Sequence, residues 1–308
     1  MSQTTRNIDR KFLFVTGKGG VGKSTVSVAL ARALADRGRR VLLAVTEQAQ
    51  VGQMLGGLEI TGDVQEVDGT LSVVWVDPER SLRDYGEIRL RSRLAYQALF
   101  GNKYAHAFLA AIPGLYQWAA LGKAWFYADG ERALGGSTFD HVVFDAPATG
   151  HGLEMLRVPK VITEASPPGV LRKDAAAAWD MLQDPGRTGV IVVALPEELP
   201  VQEALELATE VRELEVPLAA LVMNAVPPPL FSEDERAQLR QTLPELSSTA
   251  SQWASIALEH ADASEQAATM KTRVASLLSA PVLSLPWVAE PDTPAGVAKL
   301  TSALRDET

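Results

Sequence analysis

Gly17-Lys18-Gly19-Gly20-Val21-Gly22-Lys23-Ser24-Thr25 is the stretch from which the rest of the chain is read. It fits the phosphate-binding template G-x-x-x-x-G-K-S/T, with Gly17 and Gly22 as the glycines and Lys23 and Ser24 closing it. The run before it, Lys11 to Thr16, is apolar and of strand length. The run after it, Val26 to Arg37, has a helical pattern stopped by Gly38. Strand, glycine loop and helix in that order turn a motif into a site. The glycines let backbone N–H groups close on phosphate oxygens without Cβ clashes, and the helix N-terminus adds its partial positive charge. Lys23 is placed to neutralise terminal phosphates, and the Ser24 hydroxyl to join a Mg²⁺ shell. The stretch implies a nucleoside triphosphate bound along Gly17 to Thr25.

The 308 residues carry a net charge of −9, with 46% hydrophobic and 22% charged residues, ordinary values for a globular chain. An acidic balance argues against nonspecific nucleic-acid binding, which draws most of its affinity from basic patches. There is no cysteine, which excludes disulfides, iron–sulfur clusters and zinc–thiolate sites within the chain. Met1 to Arg10 is polar and does not read as a signal peptide. The uncharged run from Tyr104 to Gly122 is interrupted by Pro113-Gly114 and reads as two shorter helices rather than a membrane span. The expected location is cytoplasmic.

Apolar runs of strand length recur at Arg40–Val45, Leu71–Val76, His141–Phe144, Gly189–Leu195, Leu218–Met223 and Val282–Leu285, with helical patterns between most of them. That alternation predicts an α/β fold with a doubly wound, mostly parallel sheet, in which ligands sit at the carboxyl ends of the strands. The interval 84–136 breaks the alternation with helical patterns and no strand. Further helices are expected over 160–182 and 232–278. No linker or repeat divides the chain, so residues 1–308 read as one ATPase-like domain with a helical insertion at 84–136.

Farther along, Val142-Val143-Phe144-Asp145 is an apolar strand ending in a carboxylate, placed to hold Mg²⁺ or its water. It continues as Ala146-Pro147-Ala148-Thr149-Gly150-His151-Gly152-Leu153.

Lys18, directly after the first glycine, gives the pattern K-G-G-V-G-K-S-T. This resembles the deviant Walker A loop of the dimeric ATPases that include ArsA, the tail-anchored-protein targeting ATPases, MinD, ParA and the nitrogenase iron protein. The resemblance implies that Lys18 reaches across a dimer to the partner's phosphates, the alternative being a solvated loop lysine. The run from Asp145 is similar to the D-T-A-P-T-G-H-T-L-R switch of the ArsA and targeting ATPases, which implies that Asp145, Pro147, Thr149 and Gly150 respond to the γ-phosphate. His151 then reads as a hinge in preference to a catalytic base. Pro196-Glu197-Glu198-Leu199-Pro200-Val201-Gln202-Glu203 looks like a segment of bacterial ArsA-like members, and Asn224 matches the strand-end asparagine that contacts adenine. ATP and Mg²⁺ are the implied ligands. Lys18, Lys23, Glu47 and Asp145 are the implied catalytic set, with Ser24 and Asp145 toward the metal.

One position departs from the family pattern. Where it has T-D-P-A-H, this chain has Thr46-Glu47-Gln48-Ala49-Gln50. Glu47 keeps the carboxylate that orients the attacking water but adds a methylene, a displacement of about 1 Å that can slow turnover by about 10²-fold. Slow hydrolysis is expected. Arsenite pumping is disfavoured, since arsenic-sensing members use cysteine thiolates and the pump ATPases carry two phosphate loops in tandem. A zinc-bridged dimer is excluded by the same lack of cysteine.

Of 19 aromatic residues, nine lie between Tyr96 and Tyr127. Tyr96, Phe100, Tyr104 and Phe108 recur every four residues along one helix face, and Trp118, Trp125 and Phe126 follow. In the targeting ATPases the corresponding insertion makes a groove for a client's membrane helix; packing into the core is the other reading. The function expected is an ATP-driven homodimer, or a heterodimer with a paralogous ATPase, that chaperones or targets a hydrophobic client. A regulatory nucleotide switch and a MinD- or ParA-like positioning ATPase remain the alternatives.

Overall fold

The run Phe12–Gly17 forms β1, and every one of its residues is buried. A computed structural model describes residues 8–90, 114–129, 139–147 and 151–307. Thr149, Gly150 and the stripe Tyr96, Phe100, Tyr104 and Phe108 lie outside the described residues. The other strands are β2 (Val41–Val45), β3 (Gln65–Asp68), β4 (Leu71–Trp75), β5 (His141–Asp145), β6 (Thr188–Ala194), β7 (Leu218–Val226) and β8 (Val282–Pro286). They form one eight-stranded sheet in the order β3-β4-β2-β5-β1-β6-β7-β8. All neighbours are parallel except β3 and β4. The six predicted strand runs are all present. The strand without a sequence signal is β3, a short polar segment whose residues alternate between half-buried and exposed at the sheet edge. It returns on β4 through a turn in which Asp68 Oδ1 accepts hydrogen bonds from the backbone N–H of Thr70 and of Leu71.

The parallel strands are buried on both faces, which is why they read as unbroken apolar runs. Side chains still alternate between two cores. Leu13, Val15, Leu43, Val193 and Val222 pack with α1 (Lys23–Ala35), α2 (Gln48–Met54) and α10 (Pro294–Glu307). Phe12, Phe14, Leu42, Phe144 and Met223 face the opposite layer. That layer includes α4 (Leu115–Ala128), α5 (His151–Ala165), α6 (Val170–Gln183) and α7 (Glu198–Glu213). Phe14 and Phe144 stack across adjacent strands with ring centroids 5.3 Å apart. Helix α3 (Pro78–Leu90) packs on α4 and is tied to α6 by Tyr85, whose hydroxyl donates to Asp174 Oδ2 at 2.8 Å.

Two sequence readings are refined here. The helical stretch over 232–278 is α8 (Glu233–Thr242) and the 30-residue α9 (Ser248–Leu277), parted by a 3-10 turn at Leu243–Glu245 around Pro244. In α4, Trp118 and Trp125 are core residues, 1% and 6% exposed, with ring centroids 6.3 Å apart.

From β1 the chain crosses to β2 on one side, and after β5 it jumps to β6 on the other. Both of β1's neighbours therefore come from much later in the sequence. Such sheets bind ligands beyond the carboxyl ends of their strands, and the glycine loop leaves β1 at that end.

Candidate nucleotide site

The loop between β1 and α1 is held by close contacts that only glycine permits. At Gly17 (φ 153°) a Cβ would lie 2.4 Å from the Val193 carbonyl oxygen of β6. At Gly22 (φ 86°) it would lie 2.3 Å from Asn224 Nδ2 of β7. Between them Lys18, Gly19 and Gly20 are exposed and Val21 is buried. Helix α1 starts at Lys23 with no side-chain cap and no acidic residue in its first turn. Its first N–H groups and dipole are thus left for an anion.

The two loop lysines are placed differently. Lys23 is buried, and its Nζ donates to the Lys18 carbonyl at 2.9 Å. Burial lowers its ammonium below the usual lysine range, while the nearby Asp145 charge opposes that shift. Lys18 points outward, 47% exposed at the side chain, with its Nζ 3.2 Å from Glu203 Oε1 of α7.

Asp145 ends β5 beside β1 and is 1% exposed. Burial pushes its carboxyl up to about 6; hydrogen bonds from Ser24 and Ser27 and the Lys23 ammonium pull it back down, and Glu47 adds to the rise. The Ser27 hydroxyl donates to Asp145 Oδ1 at 2.9 Å. Ser24 and Ser27 are three residues apart on α1, so both face the same carboxylate. Thr46 Oγ1 donates to the Asp145 carbonyl at 3.1 Å and so ties the end of β2 to the end of β5. Sequence reasoning missed Ser27 and Thr46. Nothing in the local pattern marks Ser27, a serine between Val26 and Val28.

Glu47 lies just before α2 in an extended conformation; it is exposed, and its side chain makes no capping hydrogen bond. Pro147 is half-buried just beyond β5. Asn224 is 8% exposed, with its Nδ2 donating to the Val21 carbonyl at 2.9 Å. The structure thus gathers Lys23, Ser24, Asp145 and Asn224 around one loop and leaves Lys18 and Glu47 exposed. Ser24 and Asp145 offer hard oxygen donors, a set suited to Mg²⁺. Among the described residues no group of three or more His, Cys, Asp or Glu could hold a metal alone, so oxygens from elsewhere must complete any shell.

Residues 10–166 match the family model described as anion-transporting ATPase, a span that covers β1, the glycine loop, β5 and α5. The chain belongs to the anion-transporting ATPase family. It is 30% identical over 243 residues to an arsenical pump-driving ATPase of Acidiphilium multivorum, covering 73% of this chain and 41% of that protein. It is 30% identical over 219 residues to ATPase BagA of Mycobacterium tuberculosis, covering 68% of this chain and 63% of the relative. With ATPase GET3 of Eremothecium gossypii the identity is 25% over 260 residues, 73% of this chain and 74% of that protein. The chain thus spans less than two thirds of the length of the first two of these family members. Among the described residues no helix is long and apolar enough to cross a membrane.

Proposed function

We propose that this chain binds ATP with Mg²⁺ in the β1–α1 loop and hydrolyses it slowly. The observation that carries the reading is the meeting of the buried Lys23 and the buried Asp145 under an uncapped helix N-terminus and a loop with no room for a Cβ at Gly17 and Gly22. Backbone N–H groups from Gly17 to Thr25 cradle the phosphates, and Lys23 balances their charge. Ser24 and Asp145 are the Mg²⁺-side residues, Asp145 through its first or second shell. Magnesium supplies charge neutralisation on the phosphate oxygens. Asp145 accepts hydrogen bonds from both serines, which keeps its oxygens aimed at that position. The exposed Glu47 orients the attacking water through a longer arm than the aspartate usual in the family. Pro147, Thr149 and Gly150 form the segment that responds to the terminal phosphate, and Asn224 contacts the adenine.

The proposed working state is a dimer, either of two copies or with a paralogous ATPase, in which Lys18 acts on the partner's phosphates. Its exposure supports this. Coupling to a hydrophobic client is proposed for the insertion 84–136, supported by its concentration of aromatic residues. Trp118 and Trp125 are not part of that surface, being buried. With no cysteine to bind arsenite, the arsenical role named for some relatives is not proposed for this chain.

The test is size-exclusion chromatography of purified protein with Mg²⁺, with and without a non-hydrolysable ATP analogue, alongside hydrolysis assays. Lys23→Ala should abolish turnover and weaken binding. Lys18→Ala should keep binding but lose the nucleotide-dependent dimer and its turnover. Folded wild-type protein with no affinity for ATP would overturn the whole reading; a Lys18→Ala variant with normal turnover would remove the dimer alone.

A further inference from the structure

Asn224 does more than face a ligand. On β7, Ala220 and Val222 point to the α1 layer while Leu221 and Met223 point to the other, so Asn224 continues the α1 face toward the loop. Its Nδ2 donates to the carbonyl of Val21 across 203 residues of sequence, in a buried setting. A carbonyl can only accept, so this partner fixes which end of the amide faces the loop. The same nitrogen fills the space against Gly22 that a Cβ would take, so amide and glycine are fitted to each other. The next residue, Ala225, has φ 55°, a left-handed conformation disfavoured for alanine, and the β7–β8 register shifts between Met223 and Val226. The backbone thus departs from regular strand just past the residue that reaches the loop.

We infer that Asn224 is a positioning residue for the glycine loop: its amide is a strut that holds Val21 and Gly22 in the shape that receives phosphate, whatever base is attached. This rests on the reading of the loop as a triphosphate cradle and extends it. One N–H of the amide is committed to Val21, while the other N–H and Oδ1 remain for a base edge. A single side chain would then link the base to the loop. Without the strut, the Val21 carbonyl loses its buried donor and the left-handed Gly22 loses the wall beside it.

Inorganic tripolyphosphate separates the strut from base reading, because it has no base. Binding of tripolyphosphate and of ATP, each with Mg²⁺, is measured by calorimetry on the full chain and on Asn224→Ala and Asn224→Asp. Loss of one buried hydrogen bond is expected to weaken tripolyphosphate binding by about tenfold, and ATP binding by at least as much because the base contact goes with it. Asn224→Asp should do at least as much harm, since it turns a carboxylate oxygen toward the Val21 carbonyl. A variant that loses ATP affinity but keeps that for tripolyphosphate would overturn the strut and leave Asn224 a base contact only; unchanged affinity for both would overturn it too. Amide hydrogen exchange on the ligand-free protein gives a reading independent of any ligand. Faster exchange confined to residues 17–23 is expected in Asn224→Ala, whereas unchanged exchange, or loss spread across β7 and β8, would overturn the proposal. Should wild-type protein bind neither ligand, the nucleotide reading fails and the exchange result still decides the strut.

Discussion

β2 and β5 are hydrogen-bonded neighbours, and each delivers a carboxylate at or just past its end, yet the two are held in opposite ways. Asp145 is sealed under α1 and accepts hydrogen bonds from two serines, and burial pushes its carboxyl up to about 6. Glu47 stands exposed at the start of α2 without a capping bond. One carboxylate is fixed before any ligand arrives; the other keeps its rotamer freedom until something orders it. A fixed group suits a metal-side role, where misplacement is costly. A mobile one suits a step that waits for closure of the site.

The sharpest way to break this contrast is to remove the fixed member. Asp145→Ala is expected to lower ATP turnover by about 10³-fold or more, the scale of several kcal/mol of charge stabilisation. A steady-state phosphate-release assay showing wild-type rates would end the metal-side assignment.

Next comes stability. In ligand-free protein the Asp145 carboxyl is raised from 3.8 to about 6, so folding favours the protonated acid. That contribution is complete below about pH 4 and is lost as pH rises through about 6. Asp145→Asn should therefore stabilise the protein at pH 8 by on the order of 3 kcal/mol and leave it unchanged near pH 4. Denaturant melts at the two pH values with EDTA present would show it. Equal shifts at both would mean that something other than the buried charge is at work.

The mobile member should matter less. Glu47→Gln is expected to slow single-turnover hydrolysis by about 10²-fold with little change in ATP affinity. Glu47→Asp should hold or raise the rate. If it abolishes turnover, Glu47 is positioned after all and the contrast fails.

The smallest effect is expected at the Lys18–Glu203 pair, which is exposed at Lys18 and half-buried at Glu203. Glu203→Gln should change the ATP affinity of the isolated protomer by no more than about fivefold, because open ion pairs contribute about 0–1 kcal/mol. A larger loss would bring Glu203 into the site itself.

Much of this arrangement was legible in the residues. The glycine spacing, the apolar β1 and the aspartate ending β5 each carry a local signal, and the parallel sheet follows from runs buried on both faces. Strand β3 was not legible, since Gln65–Asp68 is polar and is a strand through pairing with β4. The contribution of Ser27 was hidden because its partner lies 118 residues away. Asn224 was legible as a strand end, but its bond to Val21 exists only once β7 lies two strands from β1. Local pattern reveals the elements; the partners of a buried polar group depend on topology.

The central place of β1 has a consequence for synthesis. Its neighbours are β5 and β6, not the strand that follows it, and the loop's far wall comes from β7. A nascent chain that has emerged only through the first hundred residues carries the entire glycine motif without the strands that shape it. Because such long-range pairing must wait for distant sequence, competence for nucleotide arrives late on the ribosome, after the segment bearing Asn224 has left the exit tunnel.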